Sequence, residues 1–390
     1  MTYQARVVDR AREVPDILWQ AFPKGAEGRF WYEALENSGL EDQFTFAYAV
    51  IEDGGRPVAL APLFVADVPI ELVAPEELMP LLRFGARFIP SLLHERTVFV
   101  GSPCSDEGAV VLLPGADLDA VIRALCALLA DLGKARKAPM LVFKDMPERF
   151  AQSMAPAAQA CGFFSAVSYP GTEVKLVSKD REDYFRRLKP SHRQQLRRKL
   201  RRSEEKVTLD TAIITTPDAA ELAEIFALFQ QTYEQATTKF ERLGPAFFEE
   251  IAKTPPARFL TLRDRKDGRL AAFMLLFDLG EVVINKFIGI DYHRDRDEML
   301  YFRLTVAAID FARENGARVL QSGQTGYRVK MELGHSLVGL VNFGRRRDYP
   351  MQLIYSLVAR TLSWASLDAD LAQHLKAHPE NPTAESGRWG

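Results

Sequence analysis

Three strand-like runs followed by an amphipathic helix constrain the fold of this chain more than any other feature. The runs are rich in apolar and aromatic residues and are separated by short turns; they are Ala257–Arg263, Arg269–Asp278 and Val282–Asp291. They predict an antiparallel meander. Apolar residues at helical spacing follow over Met299–Asn315, Gly316 suits a helix end, and Arg318–Gln321 reads as one more strand. This order predicts an α/β (α+β) domain with a mixed central sheet flanked by helices.

The first half of the chain shows a similar alternation. Two strand-like runs surround Asp53-Gly54-Gly55, which predicts a hairpin, and helical and strand-like segments follow. Because 390 residues exceed what one hydrophobic core usually supports, we expect two domains. We predict an N-terminal domain over residues 1–178, a C-terminal domain over residues 179–345, and a C-terminal helix with a disordered tail over residues 346–390.

Composition excludes several classes of protein. The net charge of −2 argues against bulk electrostatic capture by nucleic acid or by an anionic membrane. Cys104, Cys126 and Cys161 are too few and too scattered for a disulfide framework or a zinc site, so no metal is predicted. The N-terminus lacks the apolar run of a signal peptide, and no stretch is long and apolar enough to span a bilayer. We therefore expect a cytoplasmic protein, and peripheral contact with the inner membrane stays open.

A dense run of positive charge forms the clearest electrostatic feature. Residues 180–206 predict a basic helix, interrupted at Pro190, with ten Lys or Arg between Arg186 and Lys206. Such a run is typical of a surface that binds phosphate groups, and an ordinary solvated helix is the alternative. The candidate ligands are CoA, an acidic carrier protein, tRNA and lipid headgroups. Aromatic residues that could stack on bases are absent from the run, which disfavours tRNA. The predicted phosphate-binding residues are Arg193, Arg197, Arg198 and Arg201.

The segment Val68–Leu93 is apolar but is interrupted by four prolines and carries Arg83 and Arg87. It fits an interfacial helix or the mouth of a lipid tunnel. Ordinary core packing with prolines at the turns fits equally well.

Four stretches of the sequence together resemble the duplicated FemAB-like, or BioF2-like, branch of the GNAT N-acyltransferases. They are Asp183-Tyr184-Phe185 with the basic helix after it, the strand end Phe287-Ile288-Gly289-Ile290-Asp291, the glycine-rich stretch Gly323–Gly334, and Leu35-Glu36-Asn37-Ser38-Gly39. The chain departs from single-domain GNATs after Asp291, where Tyr292–Asp297 replaces their glycine-rich pyrophosphate loop.

The resemblance implies two tandem GNAT-like domains and an N-acyltransferase. The donor would be acyl-CoA or an acyl carrier protein, used as a co-substrate rather than bound permanently, and the acceptor an amine. If Val68–Leu93 opens a lipid tunnel, the acceptor would be a long-chain lipid amine such as a sphingoid base. If it is core, a cell-envelope precursor fits better. Two other functions stay open, namely an aminoacyl-tRNA-dependent transferase of the FemAB kind and a non-catalytic lipid- or nucleic-acid-binding protein.

The stretch Gly323–Gly334 is the predicted active-site segment. Gly323 and Gly326 would let the backbone approach a ligand closely, and Lys330 would hold a phosphate or the donor carbonyl. Tyr327 or His335 would transfer a proton. The alternative is a hairpin loop with a solvated Lys and Tyr.

Two residues of the meander are further candidates. Asp291, at a strand end, is a candidate base, although Asp at such a position is often a turn former. Lys286 lies within an otherwise apolar strand, where it points either into a cleft or to solvent.

Overall fold

The computed structural model describes residues 3–69, 94–236 and 241–377. Apart from its first two residues, the predicted apolar segment Val68–Leu93 lies outside these ranges, and so does the predicted disordered tail from residue 378 onward. The chain forms two compact units that are discontinuous in sequence. The first comprises the described parts of residues 1–22, 40–170 and 339–390, and the second those of residues 23–39 and 171–338. Contiguous domains over residues 1–178 and 179–345 stay a prediction.

The first unit is built on a mixed sheet. Its strands are β1 (Gln4–Val8), β2 (Thr45–Asp53), β3 (Arg56–Pro69), β4 (His94–Val100), β5 (Val111–Leu112), β6 (Met140–Pro147), β7 (Phe164–Val167) and β15 (Leu340–Arg346). They pair in the order β1-β2-β3-β4-β6-β15-β7, with β5 on β3. Among these described strands, β4 and β6 form the one parallel pair.

Helices of the first unit are α1 (Asp16–Gln20), α3 (Leu118–Ala135), α4 (Glu148–Ala160), α11 (Tyr349–Thr361), α12 (Trp364–Leu367) and α13 (Ala369–Ala377). α3 begins at Asp117, whose carboxylate accepts hydrogen bonds from the backbone amides of Asp119 and Ala120. Its apolar side joins α4 and the sheet in one buried core, because Leu125, Leu129 and their neighbours recur at helical spacing.

The second unit has its own mixed sheet, in the order β14-β8-β13-β12-β11-β10-β9. Its strands are β8 (Gly171–Lys175), β9 (Leu209–Ile214), β10 (Ala257–Asp264), β11 (Leu270–Asp278), β12 (Val282–Ile290), β13 (Val319–Gln321) and β14 (Ser336–Val338). The predicted meander is confirmed as β10–β12. The parallel pair here is β12 with β13, and the other described pairs are antiparallel.

Helices of the second unit are α2 (Arg29–Glu36), α5 (Arg181–Arg187), α6 (Pro190–Lys206), α7 (Ala219–Gln235), α8 (Pro245–Ala252), α9 (Leu300–Glu314) and α10 (Tyr327–Glu332). The side chains of alternate residues in β11 point to opposite faces of the sheet. Met274 and Leu276 join the core that contains α9, whereas Phe273 and Phe277 contact aromatic rings of α8 and α2. The predicted break at Pro190 is confirmed, since α6 begins at this residue.

One predicted strand is wrong in its extent. The sequence predicts a single strand over Leu337–Phe343, but the structure divides it at Gly339 into β14 and β15. Val338 pairs with β8 of the second unit, whereas Leu340 pairs with β6 of the first. A Cβ at Gly339 would lie 2.4 Å from a carboxylate oxygen of Glu148, so a larger residue would disturb the transfer of the chain from one sheet to the other.

Two mixed sheets, each flanked by helices, confirm the predicted α/β fold class. Within the described ranges, no helix has both the length and the apolar character that a membrane span requires.

Candidate functional site

In the second unit, β12 and β13 separate after a short parallel contact. Val282–Ile284 pair with Val319–Gln321, whereas β12 continues to Ile290. Residues 285–290 therefore have β11 on one side and, among the described strands, none on the side of β13. A gap thus opens between the two parallel strands, directly after Ile284 on one and Gln321 on the other.

A β-bulge marks the start of this gap. Asn285 pairs with Leu276 and Phe287 with Leu275, so Lys286 is the extra residue that the bulge inserts between these two pairs. Its side chain is only 2% exposed, although the residue as a whole is half-buried. The accessible surface of Lys286 is therefore mainly backbone, which is exposed where the strands separate.

The Lys286 ammonium lies in a buried cluster on the face covered by α2 and α8. Its Nζ is 2.5 Å from Oε1 of Glu27, and it lies 4.7 Å from the ring centroid of Trp31. The ring of Phe287 is 5.5 Å from that of Phe247 on the same face. In a regular strand, consecutive side chains point to opposite faces, so the bulge is what places Lys286 and Phe287 together. Burial, followed by the charge of Glu27, raises the pKa of Tyr32 well above its usual range.

Lys330 lies on the other side of the gap. It belongs to α10, is 6% exposed, and its Nζ donates to the carbonyl oxygens of Ser322 and Gly323, the second at 3.1 Å. Thr172 Oγ1 donates to the same two carbonyls, at 3.0 Å to Gly323. Both side chains thus fix the backbone that follows β13, at the edge of the gap.

The alternative of a solvated hairpin loop is wrong for this segment. Gly326, at φ 67°, precedes the helix α10, and Tyr327 and Lys330 are both buried. Helical spacing places residues i and i+3 on one side, so the two side chains turn inward together. Gly323, at φ 44°, and Gly326 occupy a backbone region that favours glycine, and their role in ligand binding stays a prediction.

His335 is buried beside the same helix. Its Nδ1 lies 2.9 Å from the carbonyl oxygen of Lys330, so Nδ1–H donates there and Nε2 is left unprotonated. Burial, followed by the charge of Lys330, lowers the pKa of His335 to about 3. The imidazole is therefore neutral near pH 7 and is a weak base. Within the described residues, Nε2 and the buried Ser322 Oγ have no hydrogen-bond partner in the protein.

Asp291 lies at the end of β12 and takes part in a turn. Its Oδ1 accepts a hydrogen bond from the backbone amide of His293 at 3.1 Å, and its carbonyl accepts one from Arg294. Asp291 is thus a turn former, as Asp at a strand end often is. A role as catalytic base stays a prediction.

The basic helices are largely neutralised by carboxylates of their own unit. At least six of the ten basic residues make ion pairs; they are Arg186 and Arg187 with Asp183, Arg197 with Glu182, Lys199 with Glu332, Arg202 with Asp297, and Lys206 with Asp295. Arg193 donates to the carbonyl of Arg186 at 3.2 Å. Arg198 and Arg201 are exposed and form no ion pair within the described ranges. One turn apart on α6, they form the part of the predicted phosphate surface that can receive an anion.

The first unit is closed at the corresponding position. Its parallel pair matches Thr97–Val100 with Met140–Phe143, and the loop after β4 folds back over the end of β6. Lys144 Nζ donates to the carbonyl oxygen of Ser105 at 2.9 Å. The backbone amide of Gly108 donates to the carbonyl oxygen of Asp145 at 2.8 Å. The place of the gap is thus occupied by the chain itself.

The residues predicted from the sequence lie mostly on one side of the gap. Lys330, Tyr327, His335 and the two glycines lie in and around α10, while Arg198 and Arg201 lie on a separate helix. Glu27 and Thr172 were missed, and only Lys286, as a charge within an apolar strand, gave a signal. A groove of about 600 Å³ between α7 and α8, lined by Leu222 and Phe226 among others, contains none of the predicted site residues.

A family model and several solved structures match this chain. Residues 190–331 match the family described as "Acetyltransferase (GNAT) domain". The chain is similar to the crystal structure of FemX (TM-score 0.58, 14% identity, covering 91% of this chain and 100% of that one). It is also similar to the C-terminal domain of a putative lysylphosphatidylglycerol synthetase from Agrobacterium fabrum (TM-score 0.54, 12% identity, covering 89% of this chain and 94% of that one).

A third similar structure is a tandem GNAT protein from the clavulanic acid biosynthesis pathway (TM-score 0.52, 12% identity, covering 89% of this chain and 99% of that one). A comparison with curated protein sequences gives no match. At these identities the solved structures show the fold, whereas the family match concerns the second unit, which contains the gap. The second unit therefore contains a GNAT acetyltransferase domain, and the chain as a whole has the fold of tandem GNAT proteins.

Proposed function

We propose that the gap between β12 and β13 binds the thioester of acyl-CoA, or of an acyl carrier protein, next to an amine acceptor. The amine nitrogen attacks the thioester carbonyl carbon, the C–S bond breaks, and the amide forms. The amine loses a proton and the leaving thiolate gains one. The observation that carries this proposal is the early separation of the two parallel strands in the second unit.

Backbone amides of β12 support this use of the gap. The amide of Asp291 donates to Ala271 of β11, whereas that of Ile290 donates away from β11, to Thr232 Oγ1. Amides alternate in direction along a strand, so that of Ile288 also points away from β11, toward the gap. An N–H group fixed in this way stabilises the oxyanion that develops during acyl transfer.

The closed first unit supports a single reaction centre. Its loop after β4 contacts Lys144 and Asp145 where the second unit leaves a gap. We therefore assign donor binding to the second unit alone.

An aminoacyl-tRNA donor is the second candidate. The resemblance to the FemAB-like branch implies it, and FemX is among the solved structures with a similar fold. The exposed Arg198 and Arg201 would bind phosphates of either donor. For the acceptor, we propose a lipid amine, such as a sphingoid base, or a cell-envelope precursor amine.

Calorimetric titration with CoA tests the donor. We expect wild-type protein to bind CoA and the variant Arg198→Glu/Arg201→Glu to bind it about fivefold more weakly, because two cations that receive phosphates become anions. The difference should shrink at high salt. Arg265→Glu, on the exposed β10–β11 turn, is the matched control. Protein that ignores CoA but is protected by charged tRNA would instead support the second candidate.

Lys330 is expected to affect turnover because it fixes the backbone of Ser322 and Gly323 at the edge of the gap. Lys330→Met removes the donor to Ser322 and Gly323, so the backbone at the edge of the gap should lose its position. We expect kcat for CoA release to fall at least about tenfold with a smaller change in KM, as for an interaction that matters most in the transition state. Lys175→Met, on the exposed side of β8, should keep wild-type kinetics. Unchanged kcat in a folded Lys330→Met would remove this segment from the site.

A further inference from the structure

Helix α11 in the first unit has its apolar side toward solvent. Tyr349 is 78% exposed, and Leu353, Ile354 and Leu357 are each about half exposed. At 100° per residue, these four side chains lie on one side of the helix. A surface helix normally places its apolar side against the core and its polar side in water, so α11 is reversed.

The opposite side of α11 holds it to the unit by polar contacts. Gln352 donates through Nε2 to the carbonyl of Gly162 at 2.9 Å, and its Oε1 accepts from the amide of Arg346. Tyr355 donates to Glu95 at 2.9 Å. Asp348 caps the helix by accepting a hydrogen bond from the amide of Met351. These bonds fix the rotation of the helix, so the outward apolar side is a built feature.

Positive charge borders the apolar side. Arg347 precedes the helix. Arg360 lies in its last turn, on the same side of the helix as Leu353. Both are exposed, and neither forms an ion pair within the described parts of the chain. An apolar strip with a tyrosine at one end and free arginines at both ends matches the boundary between the headgroups and acyl chains of an anionic bilayer.

We propose that α11 docks the protein on an anionic lipid bilayer, with its apolar side in the headgroup region. From Tyr349 to Leu357 the strip is about 12 Å long, which suits a helix lying along the surface. Four side chains form a patch of a few hundred Å² at most, below the roughly 800 Å² per partner of a stable protein interface. The docking surface belongs to the first unit and does not depend on the proposed reaction in the second.

Vesicle co-sedimentation of the full chain tests this surface. We expect wild-type protein to sediment with phosphatidylcholine vesicles that contain about one third phosphatidylglycerol, and only weakly with pure phosphatidylcholine. Leu353→Ser/Leu357→Ser should lower the bound fraction at least about fivefold, because it removes two inserted side chains. Arg347→Ser/Arg360→Ser should lower binding to the anionic vesicles and reduce its salt dependence.

A matched control distinguishes docking through α11 from nonspecific binding through any exposed apolar side chain. Ile17, on α1 of the same unit, is 51% exposed, and Ile17→Ser should bind like wild type. Thermal melts that coincide for all variants exclude unfolding as the cause. Equal binding to neutral and anionic vesicles, or unchanged binding of Leu353→Ser/Leu357→Ser, would overturn the proposal. So would a dimer in analytical ultracentrifugation that the same double substitution abolishes, because the strip would then bind a second copy.

Discussion

Replacing Lys286 with methionine is expected to lower the free energy of unfolding by about 3–5 kcal/mol. The substitution leaves Glu27, 8% exposed, as a buried carboxylate that has lost the ammonium 2.5 Å away. A buried charge without its partner keeps its desolvation cost and loses the compensating attraction. Urea denaturation at pH 7 measures the change, and Lys266→Met, on an exposed turn, should stay within about 0.5 kcal/mol of wild type.

The double variant Glu27→Leu/Lys286→Met separates this cause from simple loss of packing. Both charges disappear, so no desolvated charge remains, and we expect stability to return to within about 1.5 kcal/mol of wild type. Loss of the contact between Lys286 and the ring of Trp31 accounts for part of that remainder. Equal destabilisation in the single and double variants would show that the ion pair does not hold the bulge.

His335 is expected to make the protein less stable as the pH falls. Its pKa is about 3 in the folded protein, against about 6.5 in an unfolded chain, so between these values the unfolded state binds more protons. Protonation of His335 therefore does not reduce the free energy of unfolding well above pH 6.5, and it reduces that free energy increasingly as the pH falls from 6.5 toward 3. At pH 5 we expect a loss of about 2 kcal/mol relative to pH 7.

The variant His335→Asn tests this dependence, because its amide can still donate to the carbonyl of Lys330 but does not titrate. Urea midpoints at pH 7 and pH 5 should differ less in the variant than in wild type. His293→Asn, at an exposed position, should keep the wild-type difference. An identical pH dependence in wild type and His335→Asn would contradict burial of a neutral imidazole.

Local signals predicted much of the fold. The turn at Asp53-Gly54-Gly55 joins β2 to β3, Pro190 begins α6, and Gly316, at φ 79°, follows the end of α9. In each case the residue type restricts its own backbone, so the sequence contains the information within a few positions. Gly289 is required for a different reason. A Cβ there would lie 2.3 Å from Phe273, a clash that depends on the packing of β11 against β12 and not on the local sequence.

The candidate site depends on contacts that no local pattern contains. Lys286 and Glu27 are 259 positions apart, and Thr172 lies 150 positions from Ser322. Such pairs form only when β8, β13 and the bulged β12 are assembled. Lys330 and His335 stand out in the sequence because they belong to or follow a glycine-rich stretch, but their burial follows from α10, a helix for which the stretch gave no signal.

The division of the chain at Gly339 has a consequence for biosynthesis. β15 lies inside the first sheet, between β6 and β7, yet it is made only after every strand of the second. During translation, about 170 further residues are made after β7, and about 190 after β6, before β15 can pair with them, so their inner edges stay open to wrong pairing. A nascent chain halted before Leu340 should therefore be a target for chaperones, and its release should complete both sheets.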